Sequence, residues 1–147
     1  MTAWVRVECD GVVYDVASDY LYPVGIGEAI TIAYEAGYEL PTPELVDAIW
    51  KQADLRLAPM PRAHDGTPQT MASEAVYADQ KRNIEEQIAG RDFVLLAGSH
   101  KDVVTKGGRV GLYGWHRLDG RVIQPFFAGH ARAWKDYSQG LRLVRRV

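Results

Sequence analysis

The spacing of apolar residues changes twice along the chain, from strand-like to helix-like and back again. In residues 3–16 apolar and polar positions alternate around an Asp10-Gly11 turn signal, which predicts a β-hairpin. Between residues 26 and 89 the apolar positions recur every three or four residues, as they do along one face of an α-helix. After Gly90 the spacing returns to two, which is the period of a β-strand.

Three helices are predicted in the middle of the chain. The first covers Ile26–Ala36 and ends at Gly37, because glycine readily adopts the left-handed conformation that follows many helices. The second has the clearest start signal, since Thr42 can cap it and Pro43 suits its first position. The third covers residues 71–89 and has one apolar and one charged side.

A proline-rich connection over residues 58–69 separates the second and third helices. It contains three prolines, so it is predicted to be irregular, and long irregular connections are often functional or mobile. His64 lies in this connection and is predicted to be exposed. In the alternative interpretation the connection folds over the site as a lid.

The C-terminal third of the chain is predicted to consist of strands. They cover residues 93–97, 103–104, 109–116, 121–127 and 141–147. Gly111 and Gly114 are unusual inside a strand, and they indicate either barrel-like curvature or the close approach of another group. The whole pattern predicts an α+β fold with a mostly antiparallel sheet.

The length of 147 residues and the composition fit one soluble domain. We expect an N-terminal hairpin and loop (1–25), a helical segment (26–90) and C-terminal strands that carry the site (91–147). The net charge of −2 argues against nucleic acid as a partner, and no apolar run is long enough to span a membrane. A single cysteine, Cys9, and the lack of a secretory pattern fit a cytoplasmic location. The oligomeric state stays open.

Histidines mark the candidate site. Three of the four, His100, His116 and His130, fall within 31 positions of one another at predicted strand ends. Histidine is the side chain that exchanges protons most readily near neutral pH. We expect the three imidazoles to meet at one solvent-reachable hollow, with His116 as the general base and either Asp102 or His100 orienting it.

A polar motif at residues 136–142 supplies the second half of the candidate site. The hydroxyls of Tyr137 and Ser138 and the amide of Gly140 are suited to hold a carbonyl on which negative charge develops. The planar guanidinium of Arg142 suits a substrate carboxylate. The other residues expected to contact substrate are Trp115, His130, Asp136 and Gln139. The alternative is a structural turn in which Asp136 and Ser138 bond their own backbone.

Together these residues predict a small enzyme, either a hydrolase or an acyl-type transferase, that acts on a peptide-like or carboxylate-bearing small molecule. A non-catalytic binding module and a structural or interaction protein are the alternatives. No cofactor is expected. The alternative is a zinc ion on His100, His116 and His130, because three imidazoles with an open position suit catalytic zinc, although their spacing matches no familiar zinc motif.

Several motifs carry a resemblance to a known group of proteins. They are Leu40-Pro41-Thr42 followed by Leu45-Val46-Asp47-Ala48-Ile49-Trp50, Gly98-Ser99-His100-Lys101-Asp102, Tyr113-Gly114-Trp115-His116, Ile123-Gln124-Pro125 and the closing Asp136-Tyr137-Ser138-Gln139-Gly140-Leu141-Arg142-Leu143. In these motifs, which extend over roughly residues 40–147, the chain resembles a family of uncharacterised bacterial and phage-borne proteins. That family has no assigned activity, so the resemblance implies no reaction.

The chain is also similar in outline to the L,D-transpeptidases of cell-wall chemistry. Their signature places a histidine after one strand and Ser-His-Gly-Cys-x-Arg-Leu on the next, and here His116 precedes Ser138-Gln139-Gly140 and Arg142. The nucleophilic cysteine is absent and the second histidine is replaced by Gln139. The resemblance therefore does not carry thiol chemistry to this chain, and Gln139 indicates a lost or changed activity.

Overall fold

The computed structural model describes residues 3–62 and 67–147. The helices are α1 Ile26–Ala36, α2 Pro43–Gln52, α3 Pro68–Met71 and α4 Glu74–Ile88. The strands are β1 Trp4–Cys9, β2 Val12–Ala17, β3 Leu55–Arg56, β4 Leu96–Ala97, β5 Lys101–Lys106, β6 Arg109–His116, β7 Val122–Phe127, β8 Gln139–Gly140 and β9 Val144–Arg146. His64, with its predicted exposure and the lid interpretation, lies outside the described residues.

The predicted α+β class with mostly antiparallel sheets is confirmed. One sheet has the order β1-β2-β9, a larger one has the order β7-β6-β5-β8, and β3 pairs with β4. The β3–β4 and β5–β8 pairs are parallel and the others are antiparallel. The described strands form three open sheets, so barrel-like curvature is wrong. At Gly111 a Cβ atom would lie 2.4 Å from the carbonyl oxygen of Phe127, which makes the close approach of β7 the reason for this glycine.

The helix boundaries follow the local signals. α1 has the predicted bounds and ends at Gly37, whose φ is 72°. At the start of α2 the Thr42 hydroxyl accepts a hydrogen bond from the N–H of Leu45 at 3.2 Å. The predicted third helix is divided, because Ser73 caps α4 and leaves α3 as a separate turn. Within the described ranges, no helix combines the length and the apolar character that crossing a bilayer requires.

The strand predicted over residues 93–97 is shorter than expected. Only Leu96–Ala97 pairs with a neighbouring strand. The Asp54 carboxylate accepts hydrogen bonds from the N–H groups of Val94 and Leu95, so a side chain rather than a strand satisfies these donors.

The strand predicted over residues 141–147 is divided between two sheets. Gln139–Gly140 pairs with β5, Leu141 forms a bridge with Leu21, and Val144–Arg146 pairs with β2. The chain therefore passes from the four-stranded to the three-stranded sheet within a few residues, which buries the segment in between.

Of the four apolar clusters among the described residues, two position α1 and α2 against the sheets. Val7, Leu45 and Leu95 belong to the cluster beneath the three-stranded sheet, and Ala29 and Leu112 belong to the one between α1 and the four-stranded sheet. Helix α2 packs against both β1 and β6. This position brings the polar side of α2 to the end of β6.

Candidate functional site

The end of β6 departs from regular strand geometry just before His116. Gly114 has a φ of 111° and Trp115 a φ of 61°, and a bulky residue rarely adopts such a backbone conformation. Strict alternation predicts that Tyr113 and His116 lie on opposite faces of the strand, but both contact Asp47. The two positive φ angles interrupt the alternation, and strain of this kind is often found at functional sites.

His116 is held by a carboxylate from α2. Its Nε2 lies 2.7 Å from Oδ1 of Asp47, and the Tyr113 hydroxyl donates to the same oxygen at 2.9 Å. The indole of Trp50, one turn further along α2, stacks on the imidazole with 5.3 Å between ring centroids and 14° between planes. Three side chains thus fix the orientation of the imidazole.

The environment of His116 favours the neutral imidazole. Burial lowers its pKa, and this outweighs the hydrogen bond and charge of Asp47, which raise it. Because Nε2 faces a carboxylate, we place the ring proton on Nε2 and the lone pair on Nδ1. The ring is therefore neutral near pH 7, and no hydrogen bond within the described residues engages Nδ1.

A cavity of about 290 Å³ opens beside this pair. Its lining residues are Asp47, Trp50, Lys51, Tyr113, His116, Gly120 and Val122. The side chain of His116 is 5% exposed and that of Asp47 is 39% exposed, so the carboxylate faces solvent and the imidazole lies behind it. We refer to this space as the His116 cavity.

The prediction that Asp102 or His100 orients His116 is wrong. The Asp102 carboxylate accepts a hydrogen bond from the Tyr20 hydroxyl at 2.6 Å, and Nδ1 of His100 lies 2.9 Å from the hydroxyl of Ser99. Both side chains are almost completely buried. They share with His116 only a narrow space of about 10 Å³, comparable to one water molecule.

Burial shifts the pKa values of His100 and Asp102 in opposite senses. It lowers the pKa of His100 to about 3, with a further contribution from the positive charge of Arg142. It raises the pKa of Asp102 to about 7, against the lowering influence of Arg142 and of the Tyr20 hydrogen bond. His100 is therefore a neutral structural imidazole rather than a proton carrier near pH 7.

Arg142 does not face a substrate site. Its side chain is fully buried, and its guanidinium donates hydrogen bonds to the carbonyl oxygens of Ala17 and Leu96. It also lies over the ring of Tyr20, at 4.3 Å from the centroid. The prediction that Arg142 binds a substrate carboxylate is therefore wrong. One terminal nitrogen of its guanidinium bonds to β2 and the other to β4.

The motif at residues 136–138 lines a different cavity. This space measures about 340 Å³, and we refer to it as the Lys101 cavity. Its lining residues are Pro61, Met71, Lys101, Trp115, Ile123, Gln124, His130, Trp134, Asp136, Tyr137 and Ser138. Trp115 lines this cavity while its neighbour His116 lines the other, so β6 separates the two spaces.

Asp136 organises the wall of the Lys101 cavity. Its Oδ1 accepts hydrogen bonds from the amide and the hydroxyl of Ser138 at 2.7 and 2.6 Å, and its Oδ2 accepts one from Nε1 of Trp134 at 2.8 Å. The Tyr137 hydroxyl accepts a hydrogen bond from the N–H of Arg62 at 2.8 Å. The structural turn that was the alternative for Asp136 and Ser138 is thus present, and the Ser138 hydroxyl is committed to a carboxylate.

The remaining predicted residues are distributed between the cavity wall and the core. His130 stacks on Trp134 with 4.1 Å between centroids, and burial lowers its pKa. Gln139 is buried and donates to the carbonyl oxygens of Val24 and Trp134. Gly140 is packed so closely that a Cβ atom would lie 3.0 Å from the ring of Tyr20. Gln139 and Gly140 line neither cavity.

The three histidines do not meet at one cavity. His116 and His130 line different cavities, and His100 is buried and lines neither of them. Among the described residues, no group of three or more histidine, cysteine, aspartate or glutamate side chains is placed to hold a metal ion. The alternative of zinc on His100, His116 and His130 is therefore wrong.

Two residues of the site were missed by the sequence interpretation. Asp47 lies on the polar side of α2, three positions before Trp50, and Lys101 lies at the start of β5. The available signal for Asp47 was the spacing of three that places it beside Trp50 on the helix surface. Lys101 gave no signal, because a lysine at a strand end is normally solvated.

Comparisons of the chain with protein-family models, with curated proteins and with solved structures found no match.

Proposed function

We propose that the protein is a hydrolase of small peptide-like or carboxylate-bearing molecules, with His116 as general base and Asp47 as its orienting partner. The observation that carries this proposal is the 2.7 Å contact between Nε2 of His116 and Oδ1 of Asp47 at the wall of an open cavity. A neutral imidazole held by a carboxylate is the arrangement that general-base catalysis uses.

The reaction uses water rather than a covalent nucleophile, because Ser138 lies in the other cavity. Nδ1 of His116 takes a proton from the water as its oxygen attacks the substrate carbonyl carbon. Asp47 stabilises the imidazolium through Nε2–H. When the tetrahedral intermediate collapses, the proton passes to the leaving nitrogen or oxygen, and His116 returns to its neutral form. An alcohol or amine in place of water gives acyl transfer by the same steps.

The walls of the His116 cavity limit the substrate. A volume of about 290 Å³ admits a small molecule or one or two residues of a peptide rather than a folded chain. Lys51 supplies a positive charge at this cavity. It takes the role of carboxylate binding that the sequence assigned to Arg142.

The test is turnover of a panel of short peptides, amides and esters by matched variants. His116→Gln and Asp47→Asn are expected to lower kcat/KM by about a hundredfold or more. Asp15→Asn removes a carboxylate that pairs with Arg6 on the β1–β2 hairpin, so it serves as the control and is expected to leave turnover unchanged. Equal turnover by the wild type and both site variants would refute the proposal.

A binding module is the second candidate function. It is favoured by the separation of Tyr137 and Ser138 from His116, because the groups expected to hold a carbonyl do not share a cavity with the base. Thermal-shift screening combined with mass analysis of the ligand distinguishes the two functions. A ligand that raises Tm and is recovered unchanged supports the module, and one that is consumed supports the enzyme.

A further inference from the structure

Lys101 is a largely buried cation that pairs with Asp136 and, among the residues that the structure describes, forms no side-chain hydrogen bond. Its side chain is 10% exposed, and its Nζ lies 3.7 Å from Oδ2 of Asp136, which is too far for a hydrogen bond. An ammonium group has three N–H donors. Since Lys101 lines the Lys101 cavity, these donors are available to an acceptor on a ligand there.

Asp136 forms an ion pair with Lys101 but accepts no hydrogen bond from it, because 3.7 Å separates Nζ from Oδ2. Three hydrogen bonds from Ser138 and Trp134 converge on its two oxygens. These donors stabilise the carboxylate without a direct contact from the ammonium. Lys101 is thus attracted by a nearby charge while its N–H donors remain available to a ligand.

Direct contact with Nζ, rather than net charge, favours an anionic acceptor. Lys101 and Asp136 are the two lysine, arginine or acidic residues among the described lining residues, and their charges balance. Neutral donors hold the carboxylate of Asp136. Since burial lowers the pKa of His130, that ring adds no positive charge near pH 7. A ligand carboxylate can bond the ammonium directly, and such charge-assisted bonds are the strong ones.

The other lining residues and the volume of the cavity indicate what kind of ligand fits beside the ammonium group. Trp115, Ile123 and Met71 contribute apolar surface to the cavity. A volume of about 340 Å³ fits a molecule with one or two rings. We propose that the Lys101 cavity binds a small carboxylate with an apolar or aromatic body, its carboxylate on Nζ of Lys101.

This site is independent of the proposed hydrolytic site. The two cavities share none of their lining residues and lie on either side of β6. Binding in the Lys101 cavity is measured directly and needs no turnover. A failure of either proposal therefore leaves the other intact.

The test is a ligand titration that is monitored through the NMR resonances of the protein. Acids and their matching amides are the probes. The pairs are benzoate with benzamide and indole-3-acetate with indole-3-acetamide. At least one acid is expected to bind saturably at up to about 20 mM, and at least about tenfold more tightly than its amide. The resonances that shift should include those of Trp115, Trp134 and Ser138.

Matched lysine variants show whether the ammonium is responsible. Lys101→Met is expected to weaken binding of the acid by at least about tenfold, and Lys101→Arg to retain part of it. Lys81→Met removes an exposed lysine of α4, a residue that lines neither cavity, and should leave the affinity unchanged. The proposal is overturned if neither acid binds, if acid and amide bind equally, or if a folded Lys101→Met protein binds as the wild type does. If Lys101→Met does not fold, the wild-type comparison of acid with amide decides alone.

Discussion

The carboxylate of Asp47 lies 2.7 Å from Nε2 of His116, although the two residues are 69 positions apart in the sequence. Helix α2 supplies the carboxylate and the distorted end of β6 supplies the imidazole. Tyr113 donates to the same carboxylate oxygen. The protonation of His116 therefore depends on the charge and hydrogen bonds of Asp47. Replacing Asp47 should change the pKa of His116.

Asp47→Asn is expected to lower the pKa of His116 further. Burial already lowers this pKa, and the Asp47 hydrogen bond and charge are the influences that oppose it. An asparagine keeps the size of the side chain but removes the negative charge. The measurement is an NMR titration of the histidine ring resonances in the wild type and the variant.

The control for that titration is Asp15→Asn, whose carboxylate pairs with Arg6. It should leave the titration of His116 unchanged. A rise in the pKa of His116 in Asp47→Asn, or an equal shift in both variants, would contradict the assigned contact.

His100 and Asp102 are expected to affect the pH dependence of stability in opposite directions. Each effect becomes visible when the other residue is replaced. Between about pH 4 and pH 6.5 the unfolded chain carries a protonated His100 and an ionised Asp102, whereas the folded protein carries a neutral His100 and a protonated Asp102. The pair binds one proton in each state, so its contribution to the free energy of unfolding is nearly constant in this range.

In Asp102→Asn, His100 is the member of the pair that still contributes to the pH dependence of the free energy of unfolding. Since the folded pKa of His100 is depressed, its stabilising contribution is present above its ordinary pKa of 6.5 and is lost as the pH falls toward 3. The free energy of unfolding should therefore rise with pH by up to about 1.4 kcal/mol per pH unit relative to the wild type. Urea denaturation at about pH 4.5 and about pH 6.5 measures this slope.

In His100→Asn, Asp102 is the member of the pair that still contributes. The slope of the free energy of unfolding against pH should then have the opposite sign. The folded pKa of Asp102 is raised, so its favourable contribution is present below its ordinary pKa of 3.8 and is lost as the pH rises toward 7. Relative to the wild type, the free energy of unfolding should fall over the same interval. Slopes of the same sign in the two variants would contradict the opposed shifts.

The parts of the fold that were predicted from the sequence are those that depend on near neighbours. The Thr42 cap, the Gly37 stop and the β1–β2 hairpin are each encoded within a few residues. The parallel pairs β3–β4 and β5–β8 join segments that are distant in the sequence, and no local pattern indicates them. Residues 93–95 look like a strand but are held by Asp54 instead.

The same distinction applies to the site. His116 was found because histidine is rare and sits at a recognisable strand end, whereas its partner Asp47 comes into reach only through the packing of α2. Arg142 was misassigned because charged residues are usually exposed, while here two backbone carbonyls make burial favourable. Side-chain periodicity also failed at Trp115, where a positive φ ends the alternation.

Arg142→Met is expected to destabilise the fold rather than impair substrate binding. The substitution leaves the carbonyl oxygens of Ala17 and Leu96 without their donors in a buried place. We expect the free energy of unfolding to fall by about 2–5 kcal/mol, as measured by urea denaturation. Arg6→Met removes an exposed arginine that pairs with Asp15 and should cost about 1 kcal/mol or less. A similar small effect at both positions would contradict the structural role of Arg142.

Gly98→Ala is expected to displace the start of the segment that carries His100. Gly98 has a φ of 89°, and a Cβ atom there would lie 2.3 Å from the backbone oxygen of Leu57. Backbone cannot move away as a flexible side chain can, so strain from overlap is added to the cost of the left-handed conformation. We expect the free energy of unfolding to fall by about 2–5 kcal/mol.

Gly107→Ala separates these two costs, because Gly107 also has a positive φ, 57°, but a Cβ atom there meets nothing within 4 Å. It should lose only about 1–2 kcal/mol, the cost of the left-handed conformation alone. Urea denaturation measures both variants. The ring resonances of His100 should shift in Gly98→Ala and stay in place in Gly107→Ala, since only the first alters the contact of Gly98 with Leu57. Equal losses of stability in the two variants would show that the contact with Leu57 does not constrain this segment.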